Sequence, residues 1–355
     1  MSDFFRIDSH KLIFHVDRVN EWLRGKSICP IYLEIAPAGG CNQRCIFCAL
    51  DYLSYQTRFL DFDILRKTVT QAASLGVKSI MYAGEGEPLL NKDIDKIVLF
   101  TKKCEIDVAI TTNGVLLSKA VSEKILSSLA WIRISLNAAT PGNYARVHRA
   151  RKQDFSIVLD NIKAAVLIKK QKKSPVVIGV QFLMIPENVH EALTLAKILK
   201  GMGVDYLTIK PYSQHPLSNS AIDQRFACED HTALAKTLKK TEDKTFKVIF
   251  RSETMNRIGK GRDYQHCLGL PFWAYINACG DIYACSAFLG KKEFCYGNIY
   301  QDSFKKIMAG KRRAAIIHRA AVKLDAGKCR EVCRLDKINS YLWELKHPAL
   351  HINFI

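Results

Sequence analysis

The 355-residue chain has no uninterrupted apolar run of the roughly 18 residues that a membrane-spanning helix needs. Its opening stretch, Met1 to His10, is too polar for a signal peptide. No internal repeat recurs and no low-complexity linker interrupts it. These absences point to a cytoplasmic protein. Acidic residues are also scarce, 34 against 53 basic ones, leaving a formal net charge of +19. Such a surplus favours anionic partners, whether nucleic acid, phosphorylated substrates or an acidic protein. The basic clusters (Lys169 to Lys173, Lys236 to Lys240, Lys311 to Arg313) are scattered on helix-like stretches without interleaved aromatics. Nucleic-acid binding is therefore the minority reading beside a solvated surface. With 48% apolar and 25% charged residues the chain is ordinary for a globular protein, long enough for one large core and a smaller one.

Cysteine, by contrast, is plentiful at 12 residues. Disulfides seldom persist in a reducing compartment, so most of these thiols are expected to bind metal. Three fall within eight residues, Cys41-Asn-Gln-Arg-Cys45-Ile-Phe-Cys48, directly after a strand-like segment. A cubane iron-sulfur cluster has four irons and usually takes four thiolates, so three close ligands leave one iron open as a reaction site. A zinc knuckle is the alternative, although zinc also prefers four ligands.

Between residues 31 and 210, β-rich runs alternate with amphipathic stretches. The strand candidates are Ile31 to Ile35, Ser79 to Ala83, Asp107 to Thr111, Trp131 to Leu136, Val176 to Met184 and Tyr206 to Lys210. Helical patterns separate them, an order that yields parallel strands with right-handed crossovers. The predicted architecture is α/β: a partial (β/α)6 barrel, whose chemistry gathers at the C-terminal strand ends. Expected boundaries are an extension over 1–30, the barrel over 31–245 and an auxiliary domain with a C-terminal helix over 246–355.

The three-cysteine loop, with Phe47 before its last cysteine, resembles the cluster loop of the radical S-adenosylmethionine (radical SAM) enzymes. The resemblance implies a 4Fe-4S cluster whose open iron chelates S-adenosylmethionine, and an external reducing electron donor such as flavodoxin or ferredoxin. After the second strand, Gly84-Glu85-Gly86-Glu87-Pro88 is similar to the family's Gly-Gly-Glu-Pro motif, which holds the cosubstrate's amino group. Glycines there permit close backbone approach, and carboxylates accept bonds from an ammonium. Thr111-Thr112-Asn113-Gly114 reads equally well as an ordinary turn. By the same resemblance, Ser135 and Asn137 on one face of the fourth strand, Arg149 shortly after, and Gln181 on the fifth strand are expected cosubstrate-binding residues.

Further on, Cys267, the Gly280-x4-Cys285 hairpin, Tyr296-Gly297-Asn298-Ile299 and the pair Cys329 and Cys333, placed on a C-terminal helix, resemble the SPASM and twitch auxiliary-cluster domains. One pair after the gap suits the shorter twitch type, implying a second 4Fe-4S cluster on Cys267, Cys285, Cys329 and Cys333. The Cys-x3-Cys spacing departs from the expected Cys-x2-Cys, which leaves Cys279 or Cys295 as substitute ligands; a zinc staple is the other alternative. Cys279 and Cys295 are also candidate hydrogen-atom donors to a substrate radical, and Cys29, Cys104 and Cys228 are read as buried structural thiols.

Only about 40 residues precede Cys41, too few for a peptide-leader module. The size and single auxiliary site resemble twitch enzymes that act on small polyhydroxylated compounds, which implies a sugar, cyclitol or nucleotide-linked substrate, dehydrogenated or epimerised, with Arg251 as its first candidate anchor. A peptide- or RNA-modifying radical enzyme is the alternative, and a non-catalytic metal-stapled nucleic-acid binder the distant one.

Overall fold

The computed structural model describes residues 5–223 and 225–354; the side chain of Cys228 lies outside the described residues. All six expected strands are present: β1 (Tyr32–Ile35), β2 (Ser79–Tyr82), β3 (Asp107–Thr112), β4 (Trp131–Ser135), β5 (Val177–Met184) and β6 (Tyr206–Pro211). Each pairs in parallel with the next. The parallel run does not stop there. Strand β7 (Lys247–Phe250) joins β6, and β8 (Trp273–Ile276) lies parallel on the other flank of β1. A short antiparallel hairpin completes the sheet, from β8 through β9 (Asp281–Tyr283) to β10 (Cys295–Asn298). The ten-stranded order is β10-β9-β8-β1-β2-β3-β4-β5-β6-β7. The sheet is thus continuous across the boundary expected at residue 245. Cys329 and Cys333 do not lie on the C-terminal helix, which begins later and spans Asp336–Lys346. They occupy the irregular stretch before it, where the Cys333 N–H turns back to the Glu331 carbonyl (2.9 Å).

Period-two alternation sorts the strands. In β4, Ile132 and Ile134 are buried, while Trp131, Arg133 and Ser135 keep partial exposure on the opposite face. The buried face packs with Leu33, Ile80, Ile110, Val180 and Leu207 against surrounding helices such as Phe62–Ser74 and Lys152–Gln171. The other face, turned into the barrel, carries Glu34, Thr111, Arg133, Gln181, Thr208 and Lys210. Helix Pro141–His148, absent from the sequence expectation, starts at a Thr140 cap with proline in its first turn.

Gly179 shows how tightly that interior is filled. It pairs with both Arg133 and Tyr206, and a Cβ there would stand 2.1 Å from the Tyr206 ring. The ring occupies this space and its hydroxyl accepts a bond from Arg133 Nε (3.0 Å). Gly179→Ala is expected to destabilise the protein by about 1–3 kcal/mol through overpacking. An unchanged denaturation midpoint would show that the ring moves aside freely.

Candidate active site

The Cys41–Cys48 segment leaves β1 at its C-terminal end, and chain following β2, β3, β4 and β6 braces it. From β2, the Glu87 N–H donates to the Gly40 carbonyl (2.9 Å). The Glu87 carboxylate, 2% exposed, accepts from the Thr112 hydroxyl (2.6 Å), the Asn113 N–H (2.7 Å) and the Leu89 N–H (3.1 Å). Burial raises its pKa and these three bonds oppose the rise. Gly86 is needed because a Cβ would stand 2.2 Å from the Gly40 carbonyl oxygen and 2.5 Å from that of Ala38. The close approach is therefore to the cysteine loop itself. From β3, Asn113 Nδ2 donates to Asn42 Oδ1 (2.6 Å), which gives the Thr-Thr-Asn-Gly turn a role that sequence reading left open.

The β4 end contributes through helix Pro141–His148. Its last carbonyls accept the N–H groups of Arg44 (3.2 Å) and Ile46 (3.0 Å). His148, named from the sequence only as one of the polar residues following the fourth strand, is buried here and serves the cysteine loop. Its Nε2 accepts the Asn137 N–H (3.1 Å), so Nδ1 carries the proton, lying 2.9 Å from Gln43 Oε1 and 3.4 Å from Cys45 Sγ. Burial pushes its pKa down to about 3. After β6, Ser218 and Ser220 donate to the carbonyls of Cys48 (3.0 Å) and Ile46 (2.8 Å).

Within the loop, burial pushes the Cys41 thiol up to about 11 and Cys45 well above its ordinary value, and Cys48 adds to both shifts. A second group gathers Cys267, Cys285, Cys329 and Cys333 from three chain segments. Burial, followed by the neighbouring thiols, raises Cys285 to about 12 and Cys333 well upward. Cys267 rises to about 11 through burial, with Cys329 contributing. Neither Cys279 nor Cys295 acts on this quartet. Cys279 accepts from Arg58 Nη1 (2.7 Å) at an exposed rim, and Cys295 sits on β10 beside Gly297. An all-sulfur donor set suits iron-sulfur clusters or zinc, not magnesium or calcium. Among the described residues no three His, Cys, Asp or Glu side chains are grouped tightly enough for a single ion.

The remaining expected residues are dispersed. Ser135 and Gln181 are register partners on β4 and β5, facing the interior. Asn137 is committed to structure: Oδ1 accepts the Leu183 N–H (2.5 Å) and its carbonyl accepts from Asn188 (3.0 Å). Glu85 accepts the Ala278 N–H (2.8 Å), tying β2 to the β8–β9 turn. A Cβ on Gly84 would meet the Tyr275 hydroxyl at 2.3 Å. Arg149 is exposed at a helix C-terminus with φ 47°. Arg251 is not an exposed strand-end charge; it pairs with Asp8 (3.2 Å) and bonds Thr254 (2.9 Å).

The segments carrying the two cysteine groups meet inside the barrel. Arg334, next to Cys333, pairs with Glu34 and donates to the Tyr32 hydroxyl (2.9 Å). Arg330, between Cys329 and Cys333, donates to the Ser213 carbonyl (3.0 Å) just beyond β6. His215 follows, stacked on Tyr52 of the cysteine-loop region at 5.1 Å.

Residues 35–199 match the family model of the radical SAM superfamily, and residues 267–334 match SPASM, an iron-sulfur cluster-binding domain. The chain is 30% identical over 189 residues to GTP 3',8-cyclase of Chlorobaculum tepidum, covering 52% of this chain and 56% of that protein. It is 35% identical over 121 residues to the Clostridium acetobutylicum GTP 3',8-cyclase, covering 33% of this chain and 37% of that one. The chain thus spans little more than half, or less, of these curated relatives. Among solved structures, Streptococcus suis SuiB bound to S-adenosylmethionine superposes with a TM-score of 0.65 at 18% identity, over 86% of this chain and 72% of that one. SuiB bound to its precursor peptide SuiA gives 0.63 at 17% identity, over 86% and 71%. Native anSMEcpe with bound AdoMet gives 0.60 at 16%, over 88% of each. At these identities the likeness is one of fold.

Two outcomes test the bracing. Glu87→Gln puts an amide against N–H and O–H donors and is expected to cost about 1–3 kcal/mol, the penalty for buried polar groups left unsatisfied, measurable by thermal unfolding. Burial, with Arg330 adding to it, pushes His215 down to about 4 from its ordinary 6.5. The unfolded chain then binds a proton that the folded one refuses, so stability present above pH 6.5 drains away as pH falls toward 4. His215→Gln should flatten that slope; an identical pH profile would mean His215 titrates freely when folded.

Proposed function

We propose that this chain, whose residues 35–199 match the radical SAM superfamily and 267–334 the SPASM iron-sulfur cluster-binding domain, abstracts a hydrogen atom from a small anionic, hydroxylated metabolite held inside the barrel. Cys41, Cys45 and Cys48 are assigned to the 4Fe-4S cluster that works with S-adenosylmethionine. Cys267, Cys285, Cys329 and Cys333 are assigned to a single auxiliary cluster of the twitch type. The observation that carries the assignment is the separation of the thiols into a braced group of three at the β1 end and a mutually acting group of four. When bound, the cluster and cosubstrate supply one electron and a carbon-centred radical able to remove a hydrogen atom.

The chain's own residues do the rest. The strand-end bonds hold the cysteine loop rigid, and Ser135 and Gln181 offer hydrogen bonds at neighbouring register positions for the cosubstrate. The C-terminal segment reaches the barrel through Arg330 and Arg334, which helps exclude water from a radical site. Dehydrogenation is favoured over epimerisation. An auxiliary cluster held by Cys267, Cys285, Cys329 and Cys333 would supply an electron acceptor for an oxidation, and Cys279, on an exposed rim beside Arg58, is poorly placed as an internal hydrogen donor. The relatives named GTP 3',8-cyclase support a phosphorylated small molecule. A peptide substrate is the second reading, favoured by the fold shared with SuiB, which was solved with its precursor peptide.

Replacing Cys41, Cys45 or Cys48 singly by Ala should abolish 5'-deoxyadenosine formation after anaerobic reconstitution. Replacing all three should leave about four irons per chain, the content of one cubane cluster. Near-normal cleavage by the single variants, or zinc in place of iron in the triple one, would refute the assignment.

A further inference from the structure

The barrel interior holds more positive charge than its carboxylates match. Lys210 projects inward from the C-terminal end of β6, the same end from which the cysteine loop leaves β1. Four guanidinium groups act on it: Arg330, Arg251, Arg334 and Arg133. Two of these have carboxylate partners, Arg334 with Glu34 and Arg251 with Asp8. The other two do not. Arg133 donates to the Tyr206 hydroxyl (3.0 Å) and lies over the Trp131 ring at 4.8 Å. Arg330 donates to a carbonyl, and its Nε is buried without a hydrogen-bond partner. Lys210 itself makes no hydrogen bond or ion pair among the described residues. Burial first and the surrounding guanidiniums second press its pKa well down, and Glu34, which Lys210 reaches electrostatically, is shared with Arg334.

Lys210, Arg133 and Arg330 keep partial exposure inside the barrel, and the carboxylate within electrostatic reach of Lys210, Glu34, is already paired with Arg334, so cations outnumber carboxylates there and leave positive charge for an anion to match. We propose that Lys210, Arg133 and Arg330 form an oxyanion-binding site inside the barrel, built for a phosphate or carboxylate group of the substrate. The site deepens the small-anion reading above and rests on it only for what the bound molecule undergoes. Arg330 comes from the loop between Cys329 and Cys333, so the auxiliary segment supplies part of the site. The three residues between those cysteines place Arg330 against Ser213, just past β6. The Cys-x3-Cys spacing thereby acquires a use.

The test uses full-length, anaerobically reconstituted protein titrated calorimetrically with inorganic pyrophosphate, with and without saturating S-adenosylmethionine. Wild type is expected to bind one pyrophosphate, with or without the cosubstrate. K210M should weaken binding by about tenfold or more, the scale of one charge-assisted contact, and R133Q should weaken it similarly. K236M, altering an exposed lysine, should bind as wild type does. K210M should also melt at a higher temperature than wild type when no anion is present, because an unmatched interior charge has been removed. The proposal is overturned if wild type binds no pyrophosphate, if K210M binds it unchanged, or if K210M melts lower or fails to fold, since Lys210 would then be a structural partner. Displacement of pyrophosphate by S-adenosylmethionine would also overturn it, by giving these cations to the cosubstrate carboxylate. Failure of wild type to form 5'-deoxyadenosine would instead defeat the radical reading, leaving the anion titration to stand separately.

Discussion

The buried carboxylate of Glu87 is the constraint on which the site depends. A charge in that position needs hydrogen-bond donors, and three serve it, two from the β3 end and one from its own turn. Its backbone N–H simultaneously holds the carbonyl before Cys41. One residue therefore locks three consecutive strand ends together, and Gly86 lets the chains approach within a distance no side chain permits. Three of the roughly four acceptor positions on this carboxylate are taken by the protein itself.

Around this lock the cysteine loop is held from further directions, by the last turn of helix Pro141–His148 and by serines after β6. His148 belongs to the same scaffold. Its Nε2 is fixed as an acceptor, so the opposite N–H faces Gln43 and Cys45. Burial keeps this imidazole neutral by disfavouring its charged form.

The second organising feature is the continuity of the sheet. Because β8 adds to β1 in parallel before the chain turns into its hairpin, the C-terminal segment is part of the same hydrogen-bonded body as the barrel. Arg330 and Arg334, flanking Cys333, reach from the auxiliary segment to Ser213 and Glu34. The two cysteine groups are thereby linked through interior side chains, and the barrel's polar face is shaped by residues more than 100 positions apart in the chain.

The sequence alone determined the parallel α/β order, the two cysteine groups and the glycine-acid turn, because each rests on local spacing: period-two alternation for the strands, eight residues for the thiol loop, five for the turn. It could not show that Asn137 and Glu87 spend their side chains on backbone donors, since those donors come from other strands. Nor could it separate Cys279 and Cys295 from the quartet, extend the sheet through β7 and β8, or place Arg251 against Asp8. For His148 and Lys210 the sequence indicated a place at the fourth and sixth strand ends but no partners. Their importance arises from burial and from charges delivered by distant segments, and only the closed tertiary structure brings those within electrostatic reach.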